Sequence, residues 1–237
     1  MKFGIIEFPG STGKGRFTNL LKNHFQKEVV HIWHTKTALP DFSATDCLIL
    51  TGGAAFGDYL RPGVYASRSP IMSAVKAFAQ QGGTILGVGN GFQILCESNL
   101  LPGTVEKNQA CRFIADRVNV KTISRLSAIT ATLLNESVLN LPITCCYGRY
   151  IPESEASLKA MNENGQILFR FLPESNTFAD INAMIGSTQQ IAGICNQGGN
   201  VIGTMLHPEL AVSKITGAGS GKLIFDSLLT SLSHPIS

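Results

Sequence analysis

No apolar stretch in this chain approaches the ~20 residues that span a bilayer. The 19 basic residues are scattered without a concentrated stripe, and the net charge is only +3. A nucleic-acid or membrane surface usually needs such a stripe, so neither partner is expected. The six cysteines, Cys47, Cys96, Cys111, Cys145, Cys146 and Cys195, form no Cys-x-x-Cys pair and no Cys/His cluster with zinc spacing. No metal and no cofactor are expected. There is no internal repeat and no low-complexity linker, so residues 1–237 are expected to form one domain.

Charge itself is scarce, at 15% of residues against 44% hydrophobic. A surface so lean in charge fits one partly covered by a partner. The N-terminus Met1-Lys2-Phe3-Gly4-Ile5-Ile6 meets charge again at Glu7 and reads as a first strand, not a signal peptide. Several cysteines lie inside apolar patterns, where a free thiol behaves as a small hydrophobe. A reducing, cytoplasmic compartment is the expectation.

What is present is an alternation of short apolar runs and amphipathic segments. Strands are predicted at Phe3–Phe8, Val29–Trp33, Asp46–Leu50 and Thr84–Val88. Helices are predicted over Arg16–Gln26, from Ser69-Pro70 through Phe78, and over Asn90–Asn99. The second half is richer in strands: Val118–Lys121, Ile129–Leu133, Ile167–Phe171, Ile191–Cys195 and Val201–Met205, with helices at Glu153–Met161 and Gly221–Leu232. The last follows a turn at Gly217–Gly221. The pattern indicates an α/β fold with a mainly parallel sheet, in which ligands gather at the carboxyl ends of strands.

The unusual residues fall at those ends. Gly87-Val88-Gly89-Asn90-Gly91-Phe92-Gln93 packs small residues into a strand-to-helix bend, as a nucleophile elbow does. The helix behind it offers free N–H groups to an anion. Its middle residue, Gly89, has no side chain, and on spacing alone such a turn serves any α/β protein. His207-Pro208-Glu209 follows a strand. An extended course there would set the imidazole and the carboxylate side by side, as in a base and its orienter. Viewed alone, it also reads as a loop histidine near a surface glutamate. Gly52-Gly53-Ala54-Ala55-Phe56-Gly57-Asp58-Tyr59-Leu60-Arg61 brings backbone N–H groups close to a ligand, or is a plain loop in which Asp58 and Arg61 pair or cap. Gly10-Ser11-Thr12-Gly13-Lys14-Gly15 lacks Walker spacing.

Taken together, these segments resemble a class I glutamine amidotransferase, most closely the glutaminase subunit of phosphoribosylformylglycinamidine synthase. The resemblance covers nearly the whole chain. It rests on Phe8-Pro9-Gly10-Ser11, Gly52-Gly53, Gly57-Asp58-Tyr59-Leu60-Arg61, Asn90 to Glu97, Leu101-Pro102-Gly103, Gly148-Arg149-Tyr150, Asn164-Gly165-Gln166, Ile191 to Asn196 and His207-Pro208-Glu209. It implies a flavodoxin-like fold and hydrolysis of glutamine, with the ammonia passed to a large ATP-dependent synthetase subunit. A small accessory subunit is a further implied partner. His207 is implied as the base, Glu209 as its orienter and Gln93 as a contact to glutamine. Backbone N–H groups near Gly53 and at Asn90 are implied to hold the oxyanion, and Ala54 is implied among the substrate-binding residues.

Three departures stand against that implied chemistry. The family's cysteine nucleophile falls on Gly89. The family's His-Gly-Glu falls on Cys145-Cys146-Tyr147, and its Asn-Cys-Asp on Thr12-Gly13-Lys14. Glycine cannot attack a carbonyl. Cys96 lies about two helical turns beyond the elbow, whereas Cys145 or Cys146 approaches the pocket in the resemblance. Three readings follow: a glutaminase subunit disabled at position 89, a non-catalytic homologue that docks a synthetase or binds an amide, and another hydrolase of this fold. The Gly57-Asp58-Tyr59-Leu60-Arg61 and Gly148-Arg149-Tyr150 segments speak against the third.

Overall fold

The computed structural model describes residues 1–173, 181–213 and 219–234. The first part of the predicted 217–221 turn lies outside them. Strands β1 (Lys2–Glu7), β2 (Glu28–Trp33), β3 (Cys47–Leu50), β4 (Thr84–Val88) and β11 (Val201–Thr204) make a parallel half-sheet in the order β2-β1-β3-β4-β11. All residues of β3, β4 and β11 are buried, which explains why these segments read as unbroken apolar runs. Strands β10 (Ile191–Cys195), β9 (Ile167–Phe171), β6 (Ile114–Thr122) and β7 (Val138–Cys145) extend this sheet antiparallel to nine strands.

The helices that matter for the site are α1 (Lys14–Asn19), α3 (Ile71–Gln80) and α4 (Asn90–Glu97), with α2 (Val64–Ser67) a single turn. Helix α1 continues as a π-helical turn, Leu20–His24, so the predicted 16–26 segment is helical but changes its winding midway. Helices α5 (Glu155–Glu163), α6 (Ile181–Ile185) and α7 (Ser220–Ser233) belong to the second half. No helix among the described residues is long and apolar enough to cross a membrane.

One predicted strand is absent. Ile129–Leu133 is a turn, closed by Thr130 and Ala131 N–H groups donating to the Ser127 carbonyl. Ile129 and Leu133 are buried, so burial and not strand pairing accounts for their apolar character. Conversely, β7 was not anticipated, and Pro142 lies within it. β7 is the last strand of the sheet, where one side carries no ladder and proline is tolerated.

A second sheet pairs β5 (Thr104–Lys107) with β8 (Tyr147–Ile151), Val105 opposite Tyr150. The Tyr150 hydroxyl donates to the Pro102 carbonyl at 2.9 Å, and its ring stacks on Phe92 at 6.0 Å. This buried tyrosine ties the 101–103 and 148–150 segments to the helix that carries the elbow.

Candidate active site

The elbow is built by close approach. A Cβ on Gly91 would lie 1.9 Å from the Leu50 carbonyl oxygen, so only glycine lets α4 start hard against β3. Gly89, which joins β4 to α4, has φ 57 and ψ −113, angles that L residues rarely adopt. The space beside Gly89 is of another kind. A Cβ there would point at the imidazole of His207, 3.2 Å from Cε1 and 3.4 Å from Nε2. The elbow therefore keeps the shape and the direction of a nucleophile position without the atom that would react.

His207 follows β11 and is held by its backbone N–H, which donates to the Pro142 carbonyl of β7 at 2.8 Å. Its Nδ1 lies 2.8 Å from Glu209 Oε1, and both side chains are buried. A carboxylate accepts there, so Nδ1 carries a proton, and in the neutral ring Nε2 is the nitrogen left to accept. The pairing is the expected one, but its cause is not. Pro208 opens a short 3-10 turn over Pro208–Leu210, and this turn, not an extended strand, brings the carboxylate under the ring.

Facing Nε2, at 3.0 Å, is the hydroxyl of Thr144, a residue the motifs did not single out. The signal for it was the alternation along β7. Leu139, Leu141, Ile143 and Cys145 are buried, and Thr144 faces outward between the last two. A bridge between Ile143 and Leu206 fixes the register that sets Thr144 beside His207.

Opposite the elbow, two loops close on each other. Thr12 and Gly13 N–H groups donate to the Gly52 carbonyl at 3.1 and 3.2 Å, and Ala54 N–H donates to the Gly10 carbonyl at 3.1 Å. Gly53 sits at φ 134, where a Cβ would lie 2.6 Å from the Gly10 oxygen. The N–H groups of Gly53 and Asn90 have no acceptor among the described residues, so both remain available to an oxyanion. The Ala54 N–H is committed to Gly10, so Ala54 lines the cleft as wall and not as a donor.

Asn90 organises the floor. Its side-chain oxygen accepts from Ala55 N–H at 3.0 Å, and its amide donates to Gln93 Oε1 at 2.8 Å and Asp58 Oδ1 at 3.2 Å. Gln93 in turn donates to the Tyr147 carbonyl at 2.9 Å. Gln93 thus lines the cleft while its amide is largely spent on holding neighbours, which makes it a positioning group as much as a contact. Burial pushes the Asp58 carboxyl above the usual range, and the Asn90 hydrogen bond only partly opposes this. Asp58 and Arg61 do not pair with each other: Arg61 binds Glu97 at 2.7 Å. Lys14 of the glycine-rich first loop binds Glu7 at 2.7 Å and points away from a phosphate role.

These groups enclose a cleft of about 280 Å³, room for one small polar molecule. Gly53, Ala54, Gly89, Asn90, Gln93, His207 and Glu209 all line it, together with Arg16, Asp58, Thr144, Cys145 and Cys146. Among the cysteines, Cys145 is buried with its thiol pushed up to about 12 by desolvation, while Cys146 is exposed. Cys96 is buried in α4 and does not line the cleft. Among the described residues no group of three His, Cys, Asp or Glu side chains is placed to hold a metal ion.

Residues 1–220 match the family described as the CobB/CobQ-like glutamine amidotransferase domain. Phosphoribosylformylglycinamidine synthase subunit PurQ of Alkaliphilus metalliredigens is 41% identical over 97% of this chain and 96% of its own length. The same subunit of Aquifex aeolicus is 41% identical over 97% of this chain and 100% of its own length. This chain belongs to the PurQ family. Among solved structures, PurLQS from Thermotoga maritima is similar, with TM-score 0.83, 30% identity, and 98% of each chain covered. A glutamine amidotransferase from the same organism shares the fold, with TM-score 0.56 and 12% identity over 98% of this chain and 84% of its own. PurQ membership fixes what the cleft descends from, and makes Gly89 and Thr144 the positions to explain.

Proposed function

We infer that this PurQ-family chain serves phosphoribosylformylglycinamidine synthase as its glutamine-side component, acting in the cytoplasm as one domain, residues 1–237. It receives glutamine in the cleft, docks on the large ATP-dependent synthetase subunit with a small accessory subunit, and does not hydrolyse glutamine by the thiol route. One observation carries this reading: His207 and Glu209 are assembled in line with the elbow, yet residue 89 has no side chain for the base to activate. The likeness to the PurLQS assembly supports the docking, and six unpaired cysteines support a reducing compartment. Apart from the His207–Glu209 pair, the cleft is lined by Arg16 and Asp58, groups of opposite sign that suit the carboxylate and ammonium of an amino acid.

The test combines calorimetry with glutamine, glutamate release, and co-purification with the large and small subunits. Binding and co-purification without glutamate release are expected. Glutamate formed at ordinary enzyme rates, alone or in the assembly, overturns the reading. So does failure to bind either glutamine or the synthetase.

A further inference from the structure

Thr144 is exposed to the cleft, its hydroxyl is 3.0 Å from His207 Nε2, and His207 Nδ1 is 2.8 Å from the buried Glu209. A hydroxyl, an imidazole and a carboxylate in this order form the arrangement by which an adjacent base activates a weak oxygen nucleophile. The tautomer set by Glu209 leaves Nε2 as the acceptor of the threonine proton. The free N–H groups of Gly53 and Asn90 line the same cleft.

We propose that Thr144 is an oxygen nucleophile, and that the cleft transfers small acyl groups from activated esters to its hydroxyl and then to water. Thr144 Oγ1 attacks the acyl carbon while its proton passes to His207 Nε2. The oxyanion so formed faces the Gly53 and Asn90 N–H groups. Its collapse breaks the bond to the leaving alcohol, which takes the proton back from Nε2, and an ester remains on Thr144. Water, giving a proton to the same nitrogen, attacks that ester. The carboxylic acid departs and the hydroxyl is restored. The leaving nitrogen of the glutamine carboxamide must be protonated before ammonia can depart, whereas the weakly basic leaving oxygen of an activated ester needs little such help. The substrate class is therefore the activated ester, and glutamine itself stays uncleaved on the time scale of the synthetase. The inference shares the cleft with the reading above but needs no glutamine recognition.

The experiment uses the full chain with p-nitrophenyl acetate, in a Cys111→Ser/Cys146→Ser background that removes the two exposed thiols. Release of p-nitrophenolate is followed, and acid-quenched protein is mapped by peptide mass. Acetyl on Thr144 is expected, together with a fall of about 10²-fold in protein-dependent release in Thr144→Val and in His207→Gln. Thr144→Ser keeps the hydroxyl and is expected to retain turnover, so a folding defect in the valine variant does not decide the matter. Acetyl found on His207 or on lysines with none on Thr144, or release unchanged in Thr144→Val, overturns the proposal. Acetate carries no amino-acid groups, so absent glutamine binding and absent acetylation are separate results.

Discussion

The direction in which Gly89 would carry a Cβ ends 3.4 Å from Nε2 of His207. A Cβ there also lies 3.2 Å from Cε1, so the imidazole must give by a few tenths of an ångström, and a thiol on that Cβ starts beside the base. Gly89→Cys is therefore expected to gain glutamine hydrolysis over the parent, measured as glutamate release in the presence of the synthetase. The backbone angles at 89 strain any L residue by about 1–3 kcal/mol, so the melting temperature should fall or barely change. A large rise in melting temperature would show that the elbow is relaxed.

Its neighbour behaves differently. Gly91→Ala sets a methyl 1.9 Å from the Leu50 carbonyl, which is backbone and has no rotamer to yield. Overpacking of this kind costs about 1–3 kcal/mol or more. A urea melt should therefore find Gly91→Ala clearly less stable than Gly89→Ala, although the two glycines stand two residues apart.

The thiols offer a direct check on the walls of the cleft. Cys146 is exposed and should react quickly with iodoacetamide. Cys145 is buried, and desolvation pushes its thiol up to about 12, so it should react slowly until the chain unfolds. Equal labelling of both in the folded protein would contradict the register of β7.

Outside the cleft lining, Glu7 accepts from Lys14 and from His31. Burial raises its carboxyl, but the two hydrogen bonds and their charges outweigh this and hold it below its ordinary value of 4.5. The folded protein thus binds this proton less tightly than the unfolded chain. The stabilisation is fully present above about pH 4.5 and is lost as pH falls through the lower folded value. Denaturant melts from about pH 5 to about pH 3 should show a shallower loss of stability in Glu7→Gln than in the parent. Parallel curves would remove Glu7 from the account.

Much of this was legible beforehand because it lives in local chemistry. The buried parallel strands announce themselves as apolar runs, and the glycines of the elbow and the His207-Pro208-Glu209 turn are marked by spacing. What escaped depends on partners distant in sequence. Ile129–Leu133 has strand composition but no neighbour to pair with. Ala54 has a backbone N–H like that of Gly53, and only the approach of Gly10, over forty positions away, consumes it. Thr144 becomes chemical only because a bridge between Ile143 and Leu206 brings two strand ends together. β7 carries a proline, which a strand tolerates only where its place at the sheet edge leaves one side without a ladder.

The stitching of residues 10–13 to residues 52–54 has a consequence for how the rim can vary. Each loop supplies acceptors to the other, and the two glycines that meet leave no room for a side chain on either. The rim is thus one clip made of two chain segments, and one of its links lies beside the Gly53 donor. A substitution at Gly10, outside the elbow and remote from the imidazole, should displace that donor and be felt as weakened oxyanion stabilisation before it is felt as unfolding.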